Sequence, residues 1–517
     1  MRYLYSIIII FALIFAAFAC TDLDESLNSG FTEGFTPNNP GFGESTNVNI
    51  PVPADGMGAA FTTLLQGTGN HGGYFSVQGI PTDEMVITQK GGDWFDGGIW
   101  LNMHTHDFRS TNPGLNGAWI QGYNGISQVN NLLANATLDS NQTAQLKTLR
   151  AYYYWRLMDM FGRIKIVTQP GVDAPQVDRP VVFDFVVSEI EAALPDLNPT
   201  ADYSRITSGA ANAMLARLYL NGEVYTRPYP YTPGTGNTYW QEAIDAADEV
   251  INSGMYELDS SLESLFGPAN VQSPEHIFIV PFDEATGQGM NFAQMTLHYP
   301  SQLTWNLEQQ PWNGYSSLEA FYNSYADGDD RKDAFFIEGF QTDTQGNPIL
   351  DVAFDENDPD GAAINYTPFI NELAPNGSRQ AGVRMGKFSF KMGQRPDMDN
   401  DYTLLRYADV LLMKAEAIAR RDDNWNDGTT LMLVNQVRAR ANASTLASLT
   451  EEEFLAERGR EMFQESIRRT DQIRFDNWGD AWWEKSAHST AYRNVMPIPQ
   501  PQINATTDGS LTQHTDY

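Results

Sequence analysis

Leu405-Arg406-Tyr407-Ala408-Asp409-Val410-Leu411-Leu412-Met413-Lys414-Ala415-Glu416-Ala417 reads as turn after turn of amphipathic helix. With its flanks, it places Leu404, Ala408, Leu411, Ala415 and Ile418 on one face at spacings of three and four. Leu431, Val434, Val437 and Ala441 repeat the pattern after a short gap. A third helix is signalled at Thr450-Glu451-Glu452-Glu453, where Thr450 and Glu453 have capping-box spacing. Helices of this length joined by short turns predict stacked hairpins of the tetratricopeptide kind.

Upstream, a second helical block shows the same period. Leu146, Leu149, Tyr153 and Leu157 mark one helix, and Phe183, Val187, Ile190 and Leu194 a second. Ala211, Leu215 and Leu218, with Ser208 as cap, mark a third. Tyr239, Ala243, Ala247, Val250 and Ile251 mark a fourth. The expected scaffold therefore spans about residues 118–254 and 402–475, within one domain of residues 56–517. Residues 67–117 and 255–400 carry no sustained period and are dense in Gly, Pro, Asp and aromatics. Long irregular segments on a rigid scaffold are commonly functional, and aromatic content of this kind opposes disorder. The fold class expected is mostly α, with tetratricopeptide-like hairpins supporting a loop-rich ligand-binding region.

Composition narrows the function. A net charge of −33 repels nucleic acid and anionic lipid headgroups. It also disfavours a polyanionic substrate, because the strongest basic run, Arg468-Arg469 with Arg474, lies among carboxylates. The one cysteine, Cys20, permits no intramolecular disulfide. It follows the leader MRYLYSIIIIFALIFAAFA, a charged start, an apolar middle and small Ala17 and Ala19 near the end. These are the parts of a signal peptide over residues 1–19, and the apolar run is short for a bilayer span. A cysteine at the first mature position resembles a bacterial lipobox, which implies cleavage before Cys20, lipidation there and a membrane anchor made of acyl chains. Thr21-Asp22-Leu23-Asp24-Glu25 resembles the surface-export signal of Bacteroidetes lipoproteins or is a solvated linker. Residues 20–55 read as a tether.

Further motifs join the opening stretch: Asn435-Gln436-Val437-Arg438-Ala439-Arg440, Glu457-Arg458-Gly459-Arg460-Glu461-Met462, then Glu465, Arg468, Asp471, Ile473 and Arg474, and Pro497-Ile498-Pro499 at the close. Arg150-Ala151-Tyr152-Tyr153-Tyr154, Phe161-Gly162 and Ala213-Met214-Leu215-Ala216-Arg217-Leu218-Tyr219-Leu220 lie upstream. In this order they resemble the SusD/RagB family over essentially the whole mature chain. That resemblance implies a surface lipoprotein that sits as a lid on a TonB-dependent outer-membrane transporter and captures nutrient, commonly glycan.

Glu457, Glu461 and Glu465, four apart, are expected on one stripe of a helix, where like charges repel unless cations lie against them. Arg406, Arg438 and Arg440 are the expected partners. The alternative is a carboxylate pair for glycoside hydrolysis, which needs one raised pKa. A stripe beside so many arginines favours the ionic network, and no catalytic residue is assigned.

A site for neutral sugar needs flat aromatic faces and nearby polar groups to fix hydroxyls. Two loops meet the description: Gly91-Gly92-Asp93-Trp94-Phe95-Asp96-Gly97-Gly98-Ile99-Trp100, and Tyr299 to Trp305 continuing to Gln309-Gln310-Pro311-Trp312-Asn313-Gly314-Tyr315. The resemblance places the family's sugar platform in these regions as well. The candidate glycan-binding residues are Trp94, Trp312, Trp305, Trp100, Tyr299 and Tyr315, with Asp93 and Asp96. Against this, Trp100 belongs to Ile99–Asp107, a stretch that can pack beneath the loop, and Trp94 can be an indole docked on a turn. His104-Thr105-His106 alternates like a strand, but two histidines are too few for a closed zinc site, and a buried or loop role is expected. Asp355-Glu356-Asn357-Asp358-Pro359-Asp360-Gly361 has oxygen ligands but lacks EF-hand spacing, and reads as a solvated acidic turn. No metal and no cofactor is expected. The function expected is capture of a neutral glycan, such as a laminarin-type β-glucan, for a TonB-dependent transporter. The alternatives are a lipid-anchored glycoside hydrolase and a peptide-binding member of the same family.

Overall fold

The computed structural model describes residues 57–65, 68–282, 289–351, 361–486, 488–506 and 509–517. The leader, Cys20, the 20–55 tether and the acidic turn from Asp355 to Asp360 lie outside the described residues.

After a short helix, α1 (Ile99–His104), the N-terminal scaffold comprises α2 (Pro113–Asn135), α3 (Ser140–Phe161), α4 (Arg179–Ala193), α5 (Ser208–Leu220) and α6 (Trp240–Asn252). The C-terminal scaffold comprises α7 (Tyr407–Arg421), α8 (Gly428–Arg440), α9 (Glu451–Met462) and α10 (Arg468–Arg474). Neighbouring helices pack in series, α2 on α3, α3 on α4, α5 on α6 and α7 on α8, and contacts between α6 and α7 join the two blocks. The fold is mostly α, as expected.

Local chemistry sets the helix ends. Asp139 accepts from the Gln142 amide while Gln142 returns a bond to the Asp139 amide, a reciprocal cap that starts α3. Inside the α2–α3 pair, glycines set the spacing: a Cβ at Gly125 would lie 2.4 Å from the Tyr153 ring. The cap of α5 is Thr207, not Ser208, which is the first helical residue. Tyr239 likewise precedes α6 as its cap. Leu404 does not share the face of α7. It lies in a strand, β4 (Tyr402–Arg406), paired antiparallel with β2 (His276–Val280) before the helix begins. The five residues of β4 are all buried, so apolar spacing alone could not separate strand from helix there.

The carboxylate stripe also needs correction. Helix α9 ends at Met462, and Glu465 falls in the turn beyond it, where Gln464 and Ser466 adopt φ of 65° and 62°. The expected pairing nevertheless forms. Arg406 meets Glu461 at 2.7 Å, Glu465 at 2.8 Å and Glu275 at 2.7 Å. Arg438 pairs with Glu457, and Arg440 with Glu461 and Glu275. Arg331, from the irregular region, adds bonds of 2.9 Å to both Glu457 and Glu461. Burial alone would raise the Glu461 pKa, but the guanidiniums of Arg440, Arg406 and Arg331 hold it well below the usual carboxylate range. The same balance holds Asp409 and Glu416 at about 2. These groups are ionised and paired, which suits a structural role and not that of a catalytic acid.

The two loop-rich regions meet on this scaffold through a short antiparallel pair, β1 (Met85–Ile87) with β3 (Tyr315–Ser317), in which Met85 faces Ser317 and Ile87 faces Tyr315. At the foot of β1, Asp83 forms a bidentate pair with Arg468 of α10 at 2.6 and 2.7 Å. The opposite end of the ladder carries the aromatic loops.

Candidate functional site

The loop after β1 closes on itself. Lys90 and Asp93 exchange backbone hydrogen bonds of 3.0 and 3.1 Å. Gly91, Trp94, Asp96, Gly97 and Gly98 follow with positive φ. For Trp94, at φ 60°, the left-handed conformation costs about 1–2 kcal/mol. Compensation comes from the second loop. The Trp94 indole N–H donates to the Trp312 carbonyl at 2.7 Å, and its ring lies on Gly314, where a Cβ would stand 2.4 Å from the ring. Only glycine allows that approach. Backbone bonds from Trp312, Asn313 and Gly314 to the carbonyls of Gln294, Leu297 and Met295 fix the second loop in turn.

Most of the predicted residues converge. Trp94 packs edge-on to Tyr315 at 5.8 Å and tilted against Trp100 at 6.0 Å. Tyr299 donates its hydroxyl to Asp93, joining the two loops. Asp96 accepts from the Trp100 indole at 2.6 Å. The cluster is layered: Trp100 and Tyr315 are buried beneath it, while Trp94, Trp312 and Tyr299 are half-buried and Asp93 and Asp96 exposed. Trp94 is thus a docked indole that still presents surface, and Trp100 packs under the loop. Trp305 stands apart, also half-buried, with its ring edge-on to Phe390 at 5.5 Å.

Three residues of the site escaped the sequence reading. His71 stands at 4.8 Å from Trp312 and 6.5 Å from Trp94, ring to ring. Asn291 contacts the His71 backbone and ring. Lys90 is buried, and its ammonium group donates to the carbonyls of Thr88 and Gly314, each at 3.2 Å, which ties the loops from below. Burial, then the charge of Arg384, moves the Lys90 pKa well below the usual lysine range. His71 was within reach of sequence logic, since Gly69-Asn70-His71-Gly72-Gly73 brackets a ring with glycines as the Trp94 loop does.

His104 and His106 do not alternate along a strand. His104 ends α1, and His106 has φ 58° and stacks on Trp478 at 4.0 Å. Both are buried, and burial lowers the His104 pKa to about 4. Among the described residues, no group of His, Cys, Asp and Glu is arranged to hold a metal ion.

This geometry can be set beside known proteins. A family model described as the SusD family matches residues 274–515, and one described as starch-binding and associating with the outer membrane matches residues 81–220. The chain belongs to the SusD family. SusD proteins are a starch- and glycan-binding family, and the two matched segments carry the two aromatic loops between them. The chain is 24% identical over 428 residues to the starch-binding protein SusD of Bacteroides thetaiotaomicron, covering 73% of each. Among solved structures, it resembles surface glycan-binding protein A from Bacteroides uniformis, with 20% identity and a TM-score of 0.70 over 88% of this chain and 97% of that one. The protein of the same name from Bacteroides thetaiotaomicron, solved in complex with laminarihexaose, gives 20% identity and a TM-score of 0.66 over 85% and 93%. These SusD-like structures share the fold at an identity too low to transfer individual residues.

Proposed function

We propose that this chain is a non-enzymatic, lipid-anchored cell-surface protein that captures a neutral glycan and delivers it to a TonB-dependent outer-membrane transporter. The observation that carries the reading is the Trp94–Trp312 clasp. The Trp94 indole is held by its bond to the Trp312 backbone, and the half-buried Trp312 ring stands 4.8 Å from His71, with Tyr299, Asp93 and Asp96 beside them. Rings fixed in this way stack on sugar C–H faces at little entropic cost, while the carboxylates and hydroxyl take the sugar's polar groups. We propose Trp94, Trp312 and Tyr299 with Asp93 and Asp96 as the contact set, Trp305 as an outlying subsite, and Trp100 and Tyr315 as its buried support. A laminarin-type β-glucan is the proposed ligand; the chain's shortage of basic residues, 32 against 65 acidic, supports a neutral glycan over a uronate. Anchoring through Cys20 gives the body a leash of about residues 21–55. Affinity gels loaded with laminarin, mixed-linkage glucan, starch, xylan and a peptide digest test the reading. Retardation on a neutral glycan with no release of reducing ends is expected; retardation by the peptide digest alone, or sustained release of reducing ends, would overturn it.

A further inference from the structure

His71 sits in the turn Gly69–Gly73, where Gly69 and Gly72 have φ of 72° and 75°. The turn is anchored twice. The Gly72 amide donates to the Ser76 hydroxyl at 3.0 Å, and that hydroxyl meets the Tyr315 hydroxyl at 2.6 Å. The Asn291 amide donates to the Gly69 carbonyl at 3.3 Å. The imidazole is half-buried and packs edge-on with both indoles of the clasp.

Its proton is placed by Asn291. The His71 backbone N–H donates to Asn291 Oδ1 at 3.2 Å, so the oxygen of that amide must face the backbone. Turning the amide over would set its NH2 group against another N–H. The NH2 group therefore faces His71 Nδ1, at 3.3 Å, and donates to it. Nδ1 then has no proton, and the neutral ring carries its hydrogen on Nε2. Among the described residues Nε2 has no hydrogen-bond partner. The result is a donor of fixed direction beside two indoles, with no acceptor among the described residues.

We infer that His71 is a specificity-determining residue of the site, donating its Nε2–H to a sugar oxygen, with Asn291 as the positioning residue that sets its tautomer. The inference rests on the glycan-binding reading above. A second proton on Nδ1 would confront the Asn291 NH2 group with another donor, so the arrangement requires neutral His71. Burial favours that state and lowers the pKa, against the field of Asp96, the charged group that reaches the ring. Binding should therefore hold steady above about pH 6.5 and weaken below it, as Nδ1 takes up its proton.

Titration calorimetry with laminarihexaose, maltohexaose, cellohexaose and xylohexaose, run from pH 5 to pH 8.5, separates the possibilities. His71→Phe keeps a ring in place and removes the donor; affinity for the preferred sugar should fall about fivefold. Asn291→Asp keeps an acceptor for the backbone N–H but presents a carboxylate oxygen to Nδ1, which draws the proton there and strips Nε2 in the neutral ring. That variant should bind best below neutrality and lose affinity as pH rises, inverting the native profile, an effect that a packing role for Asn291 would not produce. Long-range 15N–1H NMR of the free protein should show the native His71 as the Nε2–H tautomer. His71→Phe within twofold of native, or an Asn291→Asp profile that follows the native one, overturns the inference while Trp312→Ala still weakens binding strongly. If Trp312→Ala binds as the native protein does, or if none of the four sugars binds, the glycan reading falls and takes this inference with it.

Discussion

Arg406 and Trp312 each stand at the centre of a cluster that joins segments far apart in sequence, yet the clusters are finished in opposite ways. Around Arg406, the carboxylates of Glu275, Glu461 and Glu465 lie at 2.7–2.8 Å and are fully or nearly fully buried. Around Trp312, Trp94 and Tyr299, ring surface and carboxylates remain open beside one another. Charge here is a means of assembly, and aromatic surface is what remains available to a ligand. The two regions touch through β1, whose foot is held by Arg468 and whose far end leads into the Trp94 loop.

The contrast can be broken first at its ionic end. Glu461→Ala leaves Arg406, Arg331 and Arg440 short of a shared counter-charge in the interior, and should cost about 3–5 kcal/mol of stability in a denaturant titration. A cost below about 1 kcal/mol would show that the network is not what holds α7, α9 and the irregular region together.

Between the two regions, Glu84 sharpens the comparison. It is 1% exposed, neither carboxyl oxygen has a hydrogen-bond partner, and burial raises its pKa from 4.5 to about 8 despite the nearby Arg468. Because the folded pKa lies above the unfolded one, the proton stays on in the folded state only. Stability from this group is intact below pH 4.5 and declines as pH rises toward 8. Asp409 and Glu416 act in the opposite sense, contributing above the unfolded carboxylate pKa and losing that contribution as pH falls toward 2. Thermal melts of Glu84→Gln should show a shallower decline from pH 5 to pH 8, by about 3–4 kcal/mol. A native-like slope would contradict the protonated, unpaired Glu84.

The smallest effect is expected from Gly314, at the aromatic end. Gly314→Ala places a methyl group where the Trp94 ring lies, and should displace the indole and reduce glycan affinity about fivefold. Quenching of Trp94 fluorescence by acrylamide should rise with it. Unchanged affinity would detach Trp94 from the ligand.

The sequence showed its helices well because their apolar faces repeat at three and four, and it showed the arginine partners of Glu457 and Glu461 because unpaired carboxylates at that spacing are untenable. Arg331 was missed since it comes from a stretch with no period. Leu404 was misassigned because a fully buried strand and one face of a helix look alike over a few residues. In the site, paired glycines around an indole marked Trp94, and the aromatic run from Tyr299 to Tyr315 marked Trp312. Their depth order, and the roles of His71, Asn291 and Lys90, depend on loops meeting in space and leave no local spacing to read.

The central claim is that the Trp94–Trp312 clasp is a binding surface and not core. The most direct test is titration calorimetry of the Trp94→Ala and Trp312→Ala proteins against the neutral glycan that retards the native protein, alongside their melting curves. The account predicts that each variant loses affinity roughly thirtyfold or more, about 2 kcal/mol, while remaining folded. Native affinity in both variants would contradict it.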